Sequence, residues 1–144
     1  MKIAYALGSM IMLGLFGYTF WINKDQVVEA ETPVKSMNIA LAKVTIPTKF
    51  SPNAIVGKLA YDNKCAVCHG ANAEGRDGVG PPLVHKIYEQ NHHGDESFQR
   101  AVSVGVQAHH WRFGNMPPVE GLTRGDVKMI VAYIRELQRA NGIN

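Results

Sequence analysis

Residues 65–69 read Cys-Ala-Val-Cys-His, and this motif constrains the chain more than any other feature. Two thiols about one helical turn apart can bond to the two vinyl groups on neighbouring haem pyrroles, and the imidazole that follows then lies beneath the iron. C-x-x-C-H is accordingly the attachment signature of c-type haem. The motif predicts one covalent haem c on Cys65 and Cys68, with His69 as an axial ligand of its iron.

Two other uses of the cysteines stay open from these residues alone. C-x-x-C is half of many zinc sites, and His85, His92 or His93 could complete a Cys₂His₂ set. A dithiol redox pair has the same spacing but needs a βαβ context, which the sequence lacks. Cys65 and Cys68 lie too close together in the sequence for a disulfide between them to crosslink distant parts of the fold. A structural disulfide therefore does not explain them.

A second signal is the run Asn-Met-Pro-Pro at 115–118. A thioether is a soft ligand that suits haem iron, and a Met/His pair raises the reduction potential. The prolines favour a rigid loop that presents the sulfur. Met116 is therefore predicted to be the sixth iron ligand. Met129 and Met37 are poorer candidates, and a histidine in place of Met116 would lower the potential.

The amino-terminal segment predicts a membrane anchor. Residues 3–22 hold no charged side chain, and 20 helical residues span roughly 30 Å, the thickness of a bilayer's hydrocarbon core. A cleaved signal peptide is the alternative, but its apolar region is usually shorter. We assign residues 1–23 to an anchor or signal peptide, 24–50 to a linker and 51–144 to the folded domain. The charge of Lys2 favours an inner-membrane anchor with the domain in the periplasm.

Helix signals recur through the domain. Ser51 and Pro52 favour a helix start, with Ile55, Leu59 and Ala60 expected to face inward. Further helices are expected at 83–88, at 96–104 with Asp95 as the cap, and after a Thr123–Asp126 capping box. In this last helix the apolar positions recur at helical spacing: Val127, Ile130, Val131, Ile134 and Leu137. No segment alternates like a strand, so the predicted fold class is all-α.

Residues 51–144 resemble a class I, mono-haem cytochrome c of the membrane-anchored bacterial type. The resemblance is carried by five features: Gly57 with Tyr61, CAVCHG at 65–70, GPPL at 80–83, NMPP at 115–118 and IVAYI at 130–134. It implies several helices around a covalent haem. It also implies that the first and last helices cross at Gly57, with Tyr61, Ile130 and Tyr133 packed around it.

The resemblance further implies that the Pro81 carbonyl accepts the N–H of the proximal imidazole. The stretch HHWRFG at 109–114 is longer than is usual in the family. Within it, Trp111 and Arg112 are candidate donors to the haem propionates. The alternative is a docking patch. The pairs His92/His93 and His109/His110 could bind a second metal, although solvated loop histidines would look the same.

The expected function is one-electron transfer in a membrane-associated respiratory chain, without enzymatic activity. The expected partners are membrane redox complexes that donate and accept the electron. A haem subunit of a membrane oxidoreductase complex is an alternative, as is a five-coordinate haem enzyme or sensor. From residue 51 onward ten Lys and Arg face nine Asp and Glu, which gives no indication of nucleic-acid binding.

Overall fold

The computed structural model of the chain describes residues 39–144. The predicted anchor at 1–23 and most of the predicted linker lie outside the described residues. From residue 39 onward, no helix is long and apolar enough to cross a membrane. This part of the chain is helical and, besides three isolated backbone bridges, contains no strand.

The first helix, α1 (Pro52–Lys64), begins as its sequence predicts. The Ser51 hydroxyl accepts a hydrogen bond from the Ala54 amide, and Pro52 occupies the first turn. The prediction that Ile55 and Leu59 face inward was wrong, because they are 53% and 63% exposed. Ala60, the third predicted position, is partly buried against the core. The buried positions are Ala54, Gly57 and Tyr61. Small residues face inward because this side of α1 lies against the backbone of another helix.

That partner is the last helix, α4 (Arg124–Ala140). A Cβ placed on Gly57 would lie only 1.8 Å from the Met129 carbonyl oxygen, so the two backbones are in direct contact. Next to this contact the rings of Tyr61 and Tyr133 pack with their centroids 5.3 Å apart. The crossing that the resemblance implies is therefore present.

The start and the buried face of α4 confirm the sequence prediction. The Thr123 side chain accepts from the Asp126 amide, and the Asp126 carboxylate accepts from the Thr123 amide. The predicted apolar positions are all buried: Val127, Ile130, Val131, Ile134 and Leu137. Together with Tyr61 and Tyr133, most of them form the core between α1 and α4.

Three shorter helices lie between α1 and α4: α2 (Ala66–His69), a 3₁₀ helix (Lys86–Tyr88) and α3 (Asp95–Val104). The expected helix at 83–88 is reduced to the 3₁₀ turn, capped by His85. Asp95 is the first residue of α3 rather than its cap, which is Gly94. The segments around these helices are tied to α4 by Arg135, which is only 7% exposed and donates to the carbonyls of Tyr88 and His93.

Residues 39–50, which the sequence analysis assigns to the linker, lie against the helical domain. The Ala42 amide donates to the Glu74 carbonyl at 2.9 Å, and the Thr45 amide donates to the Asn141 side chain at 2.8 Å. The ring of Phe50 packs on Tyr133 with a centroid separation of 5.3 Å. These contacts join the stretch before α1 to the end of α4.

Candidate functional site

The cysteine motif lies where α1 ends and α2 begins. Cys65 is the residue between the two helices, and its carbonyl accepts the amides of Cys68 and His69 at 3.1 and 3.0 Å. This single turn brings both sulfurs and the imidazole to one wall of a cavity of about 760 Å³. The arrangement is the one that the C-x-x-C-H spacing predicts.

His69 is held in a defined orientation. Its side chain is only 9% exposed, and its Nδ1 lies 2.9 Å from the Pro81 carbonyl oxygen. Because a carbonyl can only accept, this contact requires a proton on Nδ1 and leaves the Nε2 lone pair available for a metal. Burial lowers the pKa of His69, against the opposing effect of the Pro81 bond, so the imidazole is neutral at neutral pH.

The loop that carries Pro81 depends on a glycine. A Cβ at Gly80 would lie 2.6 Å from the Cys68 carbonyl oxygen, so the loop can pass this close to the motif only without a side chain there. On the other side of the motif, the buried Tyr61 hydroxyl donates to the Gly70 carbonyl at 2.8 Å. The residues that flank His69 are thus fixed to the core through backbone atoms.

The Cys65 thiol does not resemble an activated nucleophile. Burial, and to a lesser extent the neighbouring Cys68, raise the pKa of the Cys65 thiol to about 11. Catalytic and redox-active cysteines have lowered pKa values instead. The zinc alternative also lacks support within residues 39–144, because the metal-ligating side chains that converge there are His92, His93 and His110, without either cysteine.

Met116 lies at the end of a loop whose two ends are joined by backbone hydrogen bonds. Val106 and Met116 exchange two backbone hydrogen bonds of 2.9 Å each. Gly105, at φ 77°, allows the chain to pass the Met116 carbonyl, from which a Cβ would be only 2.5 Å away. The partly buried Met116 side chain lines the same cavity as His69. We refer to residues 105–118 as the methionine loop.

The cavity residues fit a covalently attached haem. The volume is in the range of cofactor sites, about 300–1,000 Å³. Two thiols, a neutral imidazole and a thioether line it. The rest of the lining is mainly apolar, as a porphyrin face requires, and includes Leu83, Phe98, Val127, Ile130 and Ile134.

The two candidate propionate donors differ in position. Trp111 lines the cavity, and its Nε1 donates to the Tyr88 hydroxyl at 3.1 Å. Arg112 is exposed and does not belong to the cavity lining.

The structure therefore brings together most of the predicted site residues: Cys65, Cys68, His69, Pro81, Trp111 and Met116. Arg100 of α3 also lines the cavity. It could not be predicted from the sequence, because nothing in its spacing marks it as inward-facing.

The comparisons with known proteins agree with this geometry. A helical domain with a C-x-x-C-H turn at the wall of an apolar cavity is the kind of protein that holds a c-type haem. The family model described as Cytochrome c matches residues 54–138. The chain belongs to the cytochrome c family, and its cofactor is a covalently bound c-type haem.

Two curated relatives are similar to parts of the chain. One is the Cbb3-type cytochrome c oxidase subunit CcoP of Azospirillum brasilense, 35% identical over 74 residues, which cover 48% of this chain and 23% of that protein. Another is the thiosulfate dehydrogenase of Thiomonas intermedia (strain K12), 28% identical over 118 residues, which cover 77% of this chain and 33% of that protein. The chain therefore spans at most about a third of these relatives. No solved structure matches it.

Proposed function

We propose that the protein is a one-electron carrier whose haem is attached through Cys65 and Cys68 and ligated by His69 and Met116. The observation that carries this proposal is the common cavity, into which the cysteine turn and the methionine loop both project. When bound there, a c-type haem supplies an iron that takes up and releases single electrons.

Each ligand is held by its backbone surroundings. The Pro81 carbonyl orients His69 and raises the basicity of its Nε2. The bridge between Val106 and Met116 fixes the base of the methionine loop, so little ordering is needed to present the sulfur. With the haem bound, the His69 imidazole and the Met116 thioether would together occupy both axial positions of its iron. For this reason we propose a carrier and not an enzyme.

Side chains in the cavity lining and next to it in the methionine loop are candidate donors for the haem propionates. Trp111 and Arg112 remain our predicted donors. Arg100 is a further candidate, since this exposed residue belongs to the cavity lining. In the structure the indole N–H of Trp111 is bonded to Tyr88, so its use by a propionate would require exchange of that bond.

Location and partners are part of the same proposal. We propose that residues 1–23 anchor the protein in the inner membrane and that the haem domain faces the periplasm. The similarity to an oxidase subunit supports electron exchange with a membrane respiratory complex. The protein would act there as a tethered carrier or as a haem subunit. A tether maintains a high effective concentration near membrane partners.

The axial ligand can be tested with a matched pair of methionine variants. Met116→Leu removes the sulfur at nearly constant volume, and Met129→Leu does the same on α4, outside the cavity lining. The full chain, expressed with haem-attachment machinery, should show the Met-to-iron(III) charge-transfer band at the red edge of the visible spectrum. We expect Met116→Leu to lose this band and Met129→Leu to keep it.

Carbon monoxide binding separates a carrier from an enzyme. A six-coordinate reduced haem should bind CO slowly in the wild type and rapidly in Met116→Leu, where a position is open. Rapid CO binding by the wild type, or a charge-transfer band that survives Met116→Leu, would contradict the proposed ligand set. Absence of covalent haem after denaturing electrophoresis would refute the attachment at Cys65 and Cys68.

Membrane anchoring is tested separately by fractionation. The full chain should remain in the membrane pellet after an alkaline carbonate wash. A variant in which a cleavable signal peptide replaces residues 1–23 should appear in the periplasmic fraction with its haem attached. Release of the full chain by the wash would contradict the anchor and would leave the axial-ligand proposal unaffected.

A further inference from the structure

Four of the six histidines of the chain lie together at one end of the domain: His92, His93, His109 and His110. We call them the histidine cluster. The ring centroids of His109 and His110 are 4.2 Å apart, and those of His93 and His110 are 5.4 Å apart. One ligand nitrogen from each of His92, His93 and His110 lies within 4.8 Å of the others.

The two halves of the cluster come from separate segments that are held in place. The His93 carbonyl accepts from the buried Arg135 guanidinium at 2.6 Å, which fixes the turn at 91–94 to α4. His109 and His110 lie in the methionine loop, closed at its base by the Val106–Met116 bridge. Trp111 of this loop donates to the Tyr88 hydroxyl, close to the turn at 91–94, which we call the histidine turn. The cluster is therefore organised before any ligand arrives.

Two of the imidazoles already have the hydrogen bonding of metal ligands. His93 Nδ1 lies 2.6 Å from the Ile87 carbonyl oxygen, and His109 Nδ1 lies 2.7 Å from the Gln107 carbonyl oxygen. Each carbonyl requires a proton on Nδ1 and leaves Nε2 with its lone pair. Metal-ligating histidines typically donate their other ring N–H to a backbone carbonyl in this way, which fixes the tautomer and the ring orientation.

We propose that the histidine cluster binds a divalent transition-metal ion, Zn²⁺ or Cu²⁺, through His92, His93 and His110. Three nitrogens at about 2.1 Å from a tetrahedral ion lie about 3.4 Å apart. The observed limit of 4.8 Å requires the exposed side chains of His92 and His110 to move inward by up to about 1.4 Å. His109 lies beside them as a possible fourth donor, and otherwise water completes the coordination.

The donor set determines which ions suit this site. Imidazoles favour zinc and copper, whereas magnesium and calcium prefer carboxylate, carbonyl and water oxygens. The site is distinct from the haem ligands, although His93, His109 and His110 also belong to the lining of the large cavity. Nothing in the electron-transfer proposal requires this second ion.

The proposal is tested by calorimetric titration of the haem-loaded full chain, purified without a polyhistidine tag. Zn²⁺ is the first probe because it does not exchange electrons with the haem. We expect one equivalent to bind to the wild type, and at least about tenfold weaker binding in the His92→Gln/His110→Gln double variant. Mg²⁺ should give no binding heat, and Cu²⁺ should displace Zn²⁺ one for one because it binds the same donors more tightly.

His85→Asn is the matched control. His85 caps the 3₁₀ helix by accepting the Ile87 amide at 3.2 Å, and asparagine can retain a capping acceptor there. This variant removes a histidine close to the histidine turn without removing a proposed ligand, so Zn²⁺ should bind to it as it does to the wild type. Weakening of Zn²⁺ binding by His85→Asn to the same degree as in the double variant would refute the assignment.

Other results would also overturn the proposal. Absence of stoichiometric binding of either ion would do so, as would an unchanged Zn²⁺ affinity in the double variant. Simultaneous binding of one Zn²⁺ and one Cu²⁺ would contradict a shared site. A changed haem absorption spectrum in the metal-free double variant would show that these histidines serve the iron instead.

Discussion

The contact between Gly57 and Met129 predicts a large cost for the smallest possible substitution. In Gly57→Ala the new Cβ would lie 1.8 Å from the Met129 carbonyl oxygen, and real Cβ atoms essentially never approach closer than 3.0 Å. The difference between these distances is 1.2 Å, so α1 and α4 would have to separate by about that amount. Because the opposing atom is backbone, no side-chain rotation can relieve the clash.

Separation of the helices would weaken the packing around the contact, including the 5.3 Å ring pair of Tyr61 and Tyr133. Overpacking of this kind costs about 1–3 kcal/mol, and a backbone clash belongs at the upper end or beyond. Alanine gains about 1 kcal/mol over glycine in helix propensity. A net loss of about 2 kcal/mol or more in the free energy of unfolding is the expected result.

Urea denaturation of the haem-loaded protein, followed by far-ultraviolet circular dichroism, measures this loss. With a slope of about 2 kcal/mol per molar urea, the midpoint should fall by about 1 M or more. Gly125→Ala on α4 is the matched control, since its Cβ would be an ordinary 3.5 Å from the Thr123 hydroxyl. The control should be neutral or slightly stabilising. A Gly57→Ala protein within about 0.5 kcal/mol of the wild type would refute the close-contact argument.

Two further predictions concern α4. Arg135→Leu should lower the free energy of unfolding by about 3 kcal/mol, because it removes charged hydrogen bonds to the Tyr88 and His93 carbonyls. Arg139→Leu is the control, at a side chain that is 57% exposed. It should change the free energy of unfolding by less than about 0.5 kcal/mol in the same urea assay. Hydrogen bonds from Thr123 lower the pKa of Asp126 below its ordinary value of 3.8. The ionised Asp126 carboxylate therefore stabilises the folded protein above about pH 4, and this stabilisation is lost as the pH falls through the lowered pKa. Asp126→Asn should therefore unfold at lower temperature than the wild type at pH 7, with a difference that shrinks in acid; a difference that does not change with pH would contradict this assignment.

Local sequence signals predicted much of the fold and of the haem site. The capping box at Thr123 and Asp126 depends on residues three apart, and the cysteine motif is a single turn, so both can be read from short segments. Pro81 was reached through the family resemblance, and its carbonyl does lie 2.9 Å from His69 Nδ1. Such features do not depend on how distant segments meet.

The inward face of α1 could not be read in the same way. The helix has an apolar side with Ile55 and Leu59 and a small-residue side with Ala54 and Gly57, both at helical spacing. Hydrophobicity alone favours the first side. The structure buries the second side, where Gly57 lies against the backbone of α4. The family resemblance implied this contact, but it has no signature in hydrophobic periodicity.

Contacts between segments that are distant along the chain could not be predicted from the sequence either. The two histidine pairs are separated by about 16 positions, and their meeting depends on the closure of the methionine loop and on the bond from Trp111 to Tyr88. The stretch before α1 likewise owes its position to Asn141, 96 residues away, which bonds the Thr45 amide. Neither pairing follows from local spacing.

The methionine loop connects the histidine cluster to the proposed sixth ligand of the iron. It carries Met116 at its base and His110 near its tip, so an ion at the histidine cluster and a bond from iron to the Met116 sulfur would restrain the same segment. An added cation at the cavity rim favours the reduced haem, which carries one positive charge less than the oxidised form. By thermodynamic linkage the reduced protein must then bind Zn²⁺ more tightly than the oxidised protein. Each tenfold ratio between these affinities corresponds to a rise of about 59 mV in the reduction potential. If both proposals hold, the histidine cluster therefore acts on the driving force of electron transfer without contacting the iron.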